Sequence, residues 1–585
     1  MIGAAFILLL GEDVAQLQGL AAQAAQTMSW QCHWIDERMV LLVDERMQFA
    51  AAPGITGTAV LGTLFHRHGP GEPIAVLDSV LAQTIREGRT SLLLERYWGA
   101  YLAVSRTMQG FSVLRDPSGF MPCYYLMVGS TLAVTSSVPA FVGAGLLRPR
   151  LLWGRIAHIL CRGGLPASFT AIEGVQELLP GKALHLEDGR IRTTSHWSPW
   201  DHVDADRMED PNAWAERLRR TVDSSVGAWA RLFGHVLATV SGGLDSSIVL
   251  ASSKRAAARV TSITVSTDDP AGDERSFARQ ICGHVGSQLV EAQYELADLD
   301  LSQSTRSRLP RPIGRMPELA YDAAVARVAG QIGADALFTG NGGDNVFGYS
   351  QSAGAIADRL RHSGISPELW STIRDICLLT GCNMFQAVRA ASRILRGGGR
   401  YRWKPDQRLL ATDITAQFDA DILVHPWLEA PPEATPGKTA HVAALLRIQQ
   451  HLDGTGRFNG TVVVNPLMSQ PIVETCLAIP SWLWCHGGRN RAVARLAFSN
   501  AMPASIVDRT SKGGPDGFGT RILSCFRDRI AERVLDGHLA SQGLIDRAAI
   551  EAMLFTQRPD LGPEQFRLLE LIDTEAWIDH WLSAG

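Results

Sequence analysis

The seven residues Ser241-Gly242-Gly243-Leu244-Asp245-Ser246-Ser247 restrict the fold of this chain more than any other stretch. They follow a short apolar run, 235–240, and open a run of helical spacing from Ser246 to about Ala258. A second apolar run, 260–265, reads as another strand. Strand, Gly-rich turn, helix and strand make a βαβ unit, which implies a parallel, doubly wound sheet. Two adjacent glycines let the backbone turn tightly and approach a ligand with no Cβ in the way. Their amides, with those of the helix N-terminus, form a cradle for anionic oxygens, and Ser241, Ser246 and Ser247 add hydroxyl donors. A bare phosphate would repel Asp245, so an aspartate there implies a bridging Mg²⁺.

The rest of the chain divides around this unit. Before it, the runs 111–114, 123–128 and 182–186, and more weakly 132–134, alternate or run apolar at strand length. Gly119, Gly129, Pro180-Gly181 and Glu187-Asp188-Gly189 punctuate them as turns, which predicts a mostly antiparallel sheet. The polar stretch 197–212 holds Pro199, Pro211 and four aspartates, Asp201, Asp204, Asp206 and Asp210. It marks the boundary, giving domains 1–205 and 206–585. Beyond it, Trp214, Leu218, Val222, Val226 and Trp229 keep helical spacing, and the last third is largely helical. No internal repeat or low-complexity tract interrupts either part.

Composition excludes several classes. With 46 % apolar and 19 % charged residues, the chain is far from the disordered range. A net charge of −4 gives no electrostatic case for nucleic acid or a membrane surface. The nine cysteines are scattered, odd in number and in no CxxC pattern. Reduced thiols in a cytoplasmic chain are expected, without a disulfide framework or structural zinc. The apolar start, Met1 to Leu10 (MIGAAFILLL), has no Lys or Arg before it and Gly11-Glu12-Asp13 after it. It suits a buried first strand, being neither a signal peptide nor long enough to span a bilayer.

The SGGLDSS string resembles the pyrophosphate loop of ATP-pyrophosphatase enzymes, in particular the asparagine synthetase-like synthetases. A Walker loop would need G-x-x-x-x-G-K-[ST]. The resemblance implies cleavage of ATP between the α- and β-phosphates, giving an acyl-adenylate and pyrophosphate. Further segments agree in order. Val265 sits where the family's second strand passes under the adenine, and 273–279 (DERSFAR) resembles the family's D-E-x-x-x-A helix start. Asp344 lies within 337–348 (LFTGNGGDNVFG), and 509–514 (RTSKGG) resembles the late R-x-x-K-G element. By resemblance, Asp245 and Asp344 hold Mg²⁺, and Lys512 neutralises charge on the adenylate and in the attack that follows. The implied ATP contacts are Val240, Ser241, Gly242, Gly243, Asp245, Ser246, Val265, Gly340 and Lys512. Asp245, Asp344 and Lys512 are the implied catalytic set.

The first domain resembles the glutaminase domain of these synthetases in 115–125 (RDPSGFMPCYY) and 170–181 (TAIEGVQELLPG). That resemblance implies an α/β and α+β protein, with a degenerate Ntn-type αββα sandwich preceding an adenine-nucleotide α-hydrolase-like synthetase domain with added helices. A working glutaminase of this type uses a cysteine exposed as the new N-terminus, where this chain has Ile2. Cys32 cannot serve, because the mechanism needs the chain's own α-amine as base. The first domain is therefore expected not to release ammonia, and the nucleophile becomes an amine already on the substrate. Two branches behave that way: β-lactam synthetases and the cyclases that close the macrolactam of lasso peptides.

Finer strings resemble the cyclases: 342–347 (GGDNVF), 425–428 (HPWL), 436–442 (PGKTAHV) and 466–471 (PLMSQP) with Glu474. His425, Trp427 and His441 are the implied peptide contacts. Related enzymes place Glu or Tyr where this chain has Asn341, which cannot accept a proton. The base is left open among another carboxylate, pyrophosphate and bulk water. The expected function is an ATP-dependent lasso peptide cyclase with a ribosomal precursor peptide as substrate, and a leader-peptide protease and a leader-recognition protein as partners. The alternatives are a small-molecule synthetase, β-lactam-forming or ammonia-dependent and asparagine-forming, and a catalytically dead nucleotide-binding partner. Retention of Asp245, Asp344 and Lys512 argues against the last.

Overall fold

The apolar start of the sequence becomes β1 (Phe6–Leu10), with all five side chains buried. The cause is its place between β9 and β3 in a six-stranded antiparallel sheet, covered on both faces. The computed structural model describes every residue except 1–3, 53, 70, 204–207, 257, 399, 419–422, 453–460, 511–512, 515 and 556–561. Ile2 and Lys512 thus lie outside the described residues.

Besides β1, the first sheet contains β2 (Gln31–Asp36) and β3 (Met39–Val43), and farther on β8 (Tyr124–Val128), β9 (Thr131–Thr135) and β10 (Gln176–Glu177). Its order is β10-β8-β9-β1-β3-β2. The second sheet takes β4 (Phe49–Ala51), β5 (Thr58–His66), β6 (Tyr97–Thr107), β7 (Gly110–Arg115), β11 (Lys182–Glu187) and β12 (Arg190–Ser195). Its order is β12-β11-β7-β6-β5-β4, also antiparallel.

Side-chain alternation stacks these layers. Phe6, Leu8 and Leu10 meet Leu61, Leu102, Val113 and Leu184 of the second sheet. Ile7 and Leu9 face the other way, onto Leu17, Ala21 and Ala24 of the Val14–Met28 helix. Val60 and Leu64 turn from the sheet interface toward Leu81 and Ile85 of the Ser79–Arg86 helix, and toward Trp214, Leu218 and Val222 of Pro211–Ala230. The result is a helix–sheet–sheet–helix sandwich.

The third sheet is parallel: β13 (Val236–Thr239), β14 (Val260–Ser266), β15 (Gln288–Gln293), β16 (Ala336–Phe338) and β17 (Val462–Val464), in the order β15-β14-β13-β16-β17. From central β13 the chain winds out through β14 and β15, then returns to the other side. Strand order reverses there, and the carboxyl ends of β13, β14 and β16 open onto a crevice. Helices cover both faces: Val325 and Val328 of Glu318–Ile332 on one, Ile248 and Val249 of Leu244–Arg255 on the other.

The two parts of the chain are bound together. Trp229 packs within 5.1 Å of Phe65, 5.6 Å of Trp98 and 5.9 Å of Phe120. Arg115 donates to Glu177 at 3.0 Å, and Arg311 bonds the same carboxylate from the other part. All nine cysteines are free thiols. No helix among the described residues is long and apolar enough to cross a membrane.

Candidate active site

The Gly-rich turn leaves β13 and enters the Leu244–Arg255 helix two residues earlier than its sequence spacing predicts, so Asp245 and Ser246 stand in the helix's first turn. Gly242 has φ +66°, and a Cβ there would lie 2.3 Å from Cβ of Phe277, so only glycine fits. Ser241 Oγ accepts from Gly243 N–H at 3.2 Å, and Ser246 Oγ donates to Gly243 O at 3.3 Å, bracing the turn from within. No side chain caps this helix. Its first amides are therefore available to an anionic ligand, where the helix dipole also favours negative charge.

The second loop follows β16. Thr339 Oγ1 donates to Asn465 Oδ1 at 2.6 Å and accepts from Asn341 N–H at 3.0 Å, which turns the backbone toward the first loop. A Cβ at Gly340 would lie 2.6 Å from Ser246 N, and one at Gly343 would lie 2.4 Å from Cβ and Cγ of Asp245. These two missing side chains let the loops touch.

Asp245 and Asp344 consequently meet at one point. Arg491 Nη1 donates to Asp245 at 3.0 and 2.9 Å and to Asp344 Oδ1 at 2.5 Å. Both carboxylates reach a single nitrogen, so a single cation of similar reach can be held by both. Two carboxylates completed by phosphate and water suit Mg²⁺, which seldom uses an all-protein cage. Among the described residues no cluster of three or more His, Cys, Asp or Glu offers such a cage.

A third segment closes the site. Arg509 Nη1 donates to Ser241 O at 3.0 Å and Nη2 to Glu274 at 2.7 Å, with its guanidinium 3.8 Å above the Phe277 ring. Gly513 N–H donates to the same Glu274 oxygen at 3.1 Å. Thr510, Gly513 and Gly514 line the cavity, flanking the position of Lys512.

The cavity between these loops measures about 430 Å³. Val240, Ser241, Gly243, Asp245, Ser246, Val265, Gly340 and Asp344 line it, while Gly242 stands behind the wall against Phe277. Arg491, Arg509, Glu274 and Tyr349 join them, and sequence reasoning missed these four as site residues. Beyond Thr239, Tyr294, Tyr321 and Asn341, which line both spaces, a larger chamber of about 940 Å³ continues. Arg315 and Arg447 face it, and among the described residues neither has a carboxylate partner.

The three implied peptide contacts line neither space. His425 is 4 % exposed, and its Nδ1 accepts from Trp427 N–H at 3.1 Å as the cap of a 3₁₀ turn. Trp427 packs beside it, 6 % exposed. His441 Nε2–H donates to Val346 O at 2.9 Å inside the core. Burial lowers the histidine pKa values, to about 3 for His425 and about 4 for His441. All three side chains are packed into the core. The segment 115–125 is braced by its own hydrogen bonds. Arg115 donates to Met121 O at 2.7 Å and Gly119 O at 2.9 Å, and buried Asp116 accepts from Ser118 N–H and Gly119 N–H at 2.9 and 3.1 Å.

A parallel sheet with an uncapped Gly-rich turn, two convergent aspartates and a closing basic segment at its switch point defines a nucleotide-binding enzyme of the α/β class. The sequence matches the asparagine synthase family over residues 217–583, and the chain belongs to that family. It is an ATP-dependent amide-forming ligase. No curated protein matches the sequence. Among solved structures, the allosteric regulatory enzyme of purine biosynthesis is similar at 12 % identity, over 57 % of this chain and 89 % of that one, with a TM-score of 0.22. Glutamine phosphoribosylpyrophosphate amidotransferase from B. subtilis, complexed with ADP and GMP, is similar at 11 % over 57 % and 90 %, also at 0.22. At such scores neither adds to the fold derived above.

Proposed function

We propose that this ligase closes a macrolactam in a ribosomal peptide, as lasso peptide cyclases do, joining an Asp or Glu side chain to the peptide's own N-terminal amine. The carrying observation is the chamber of about 940 Å³ that opens onto the nucleotide cavity past Asn341. That volume is at the top of the range for drug-sized ligands, about 300–1,000 Å³. It suits a folded peptide segment and far exceeds what aspartate and ammonia need.

The substrate carboxylate attacks the α-phosphorus of ATP, forming a carboxyl O–P bond as the α–β bridge breaks and pyrophosphate leaves. The amine nitrogen then attacks the acyl carbon, AMP departs with the bonding pair, and the nitrogen loses a proton. The amides of Gly243 and the first helical turn cradle phosphate oxygens, Ser241 and Ser246 add hydroxyls, and Val265 lies along the nucleoside. Asp245 and Asp344 would hold Mg²⁺, which when bound neutralises phosphate charge and aligns the leaving group. Lys512 neutralises charge that grows in both steps.

Buried, neutral His425 and His441 cannot serve as the base, and Asn341 carries no basic lone pair. An α-amine of pKa about 8 is already partly unprotonated at neutral pH, so water or departing pyrophosphate suffices. Holding the peptide folded makes the attack effectively unimolecular, the enzyme's main contribution. On this reading residues 206–585 are the synthetase and 1–205 a retained glutaminase-like wall. A leader-peptide protease and a leader-recognition protein deliver the substrate.

The test is incubation with ATP, Mg²⁺ and a synthetic peptide bearing a free N-terminus and one internal Asp or Glu. Loss of one water by mass spectrometry, with AMP and pyrophosphate as products, is expected. ADP and phosphate would overturn the mechanism. Asparagine formed from aspartate and ammonium, with no peptide closure, would replace this reading with the small-molecule one.

A further inference from the structure

Asp245 and Asp344 are two like charges drawn together, with side chains 13 % and 39 % exposed. Such a pair is costly unless a cation faces both. Arg491, itself only 13 % exposed, supplies one: a single guanidinium nitrogen donates to three of their four oxygens. Its backbone is left-handed, φ 52°, rare for a long side chain and held where the surrounding structure insists on it. The guanidinium also stands 5.4 Å from the centre of the Tyr349 ring at the cavity's edge.

We infer that Arg491 is a resident counter-cation for the two aspartates, a positioning residue that makes divalent-cation binding depend on the nucleotide. A divalent ion that takes both carboxylates must displace this nitrogen, breaking charge-assisted hydrogen bonds. The freed guanidinium would then be a half-buried charge beside a doubly charged ion, an unfavourable outcome for the ion alone. A triphosphate arriving with the ion changes the balance, because its oxygens accept from the displaced guanidinium in the same cavity. Arginine suits the exchange, since its planar fork matches carboxylate and phosphate alike. The bare ion is therefore held weakly and the ion with nucleotide tightly. Until then the aspartates stay in place without collapsing onto one another. This rests on the nucleotide reading of the site given above.

The test is Mn²⁺ binding, followed by electron paramagnetic resonance with and without α,β-methylene-ATP. Arg491→Gln removes the charge at nearly constant shape and is expected to bind Mn²⁺ alone at least tenfold more tightly than the unaltered protein. Arg491→Lys, which keeps a cation, is expected to restore weak binding. Unchanged Mn²⁺ affinity in Arg491→Gln would overturn the inference. In crystals of the unaltered protein soaked in Mn²⁺ alone, the ion is expected to be absent from between Asp245 and Asp344, with Arg491 still bridging. An ion seated there with Arg491 displaced would also overturn it, whether or not the glutamine variant folds. Failure of α,β-methylene-ATP to bind at all would instead sink the nucleotide reading.

Discussion

Gly343 sets how near the two carboxylate loops come. Its missing Cβ is the space Asp245 occupies, 2.4 Å away. Gly343→Ala must push Asp245 or the second loop aside, and a site that works within about half an ångström does not survive that. We expect pyrophosphate release to fall at least a hundredfold while the thermal melting temperature moves by only a few degrees. A radiolabelled pyrophosphate assay beside a melt checks both, and activity within threefold of normal would show that the loops have slack. Buried His425 makes a different residue-scale prediction. Its pKa is lowered to about 3 in the folded protein, so the unfolded chain, near 6.5, binds the proton first as pH falls. Stability is therefore whole above about pH 6.5 and is lost progressively below it. At pH 5.5 this residue should cost about 1.4 kcal/mol relative to pH 7.5. His425→Asn, which keeps a capping side chain, should lose about that much less in urea titrations over the same interval. Glycine spacing and a helix-opening aspartate are local signals, so Ser241, Asp245 and Asp344 were legible in the sequence. Arg491 was not, because nothing around it in the chain announces a partner 246 residues away. The burial of His425 and His441, 4 % and 7 % exposed, was hidden for a related reason: it is set by packing against distant elements that neighbouring residues do not reveal.

At the scale of elements, the buried join of Arg115, Glu177 and Arg311 links the second antiparallel sheet to the loop before the Glu318–Ile332 helix. Glu177 side-chain exposure is 7 %, and its two partners are at 4 % and 10 %. Removing its charge leaves two guanidiniums facing each other in the interior, and breaking such a pair costs about 3–5 kcal/mol. Glu177→Gln should lower unfolding free energy by roughly 3 kcal/mol. Guanidinium denaturation followed by tryptophan fluorescence measures it, and a change below about 1 kcal/mol would mean the three charges relax apart. The βαβ unit was readable because strand, turn and helix follow one another, as were β7, β8 and β11 within a residue of their expected limits. The β5–β6 hairpin was not, although β6 is eleven residues long and central to its sheet. Between its strands lie two short helices, Ser79–Arg86 and Thr90–Arg96, so no tight-turn signal joins them. Strand β17 escaped for the same reason: three residues, Val462–Val464, gain their meaning only from pairing with β16.

Considered whole, the molecule buries Cys123 and Cys161 of residues 1–205 and leaves Cys32 exposed. Burial pushes the Cys123 thiol up to about 12 and raises those of Cys161 and Cys32. Incubation with glutamine should release no glutamate above background, by coupled dehydrogenase assay; release above background would reveal a nucleophile other than these. The larger chamber carries one more consequence. Phe566, Arg567, Leu569 and Glu570 of the Gly562–Ser583 helix line it together with Ile313 and Arg315. Trp577 and Trp581 on that helix each donate an indole N–H to Leu309 O, at 2.8 and 3.2 Å. One wall of the chamber thus stands on this single helix, while both aspartates and the Gly-rich turn stand on other segments. Loosening that one helix would reshape the chamber while leaving both aspartates where they are.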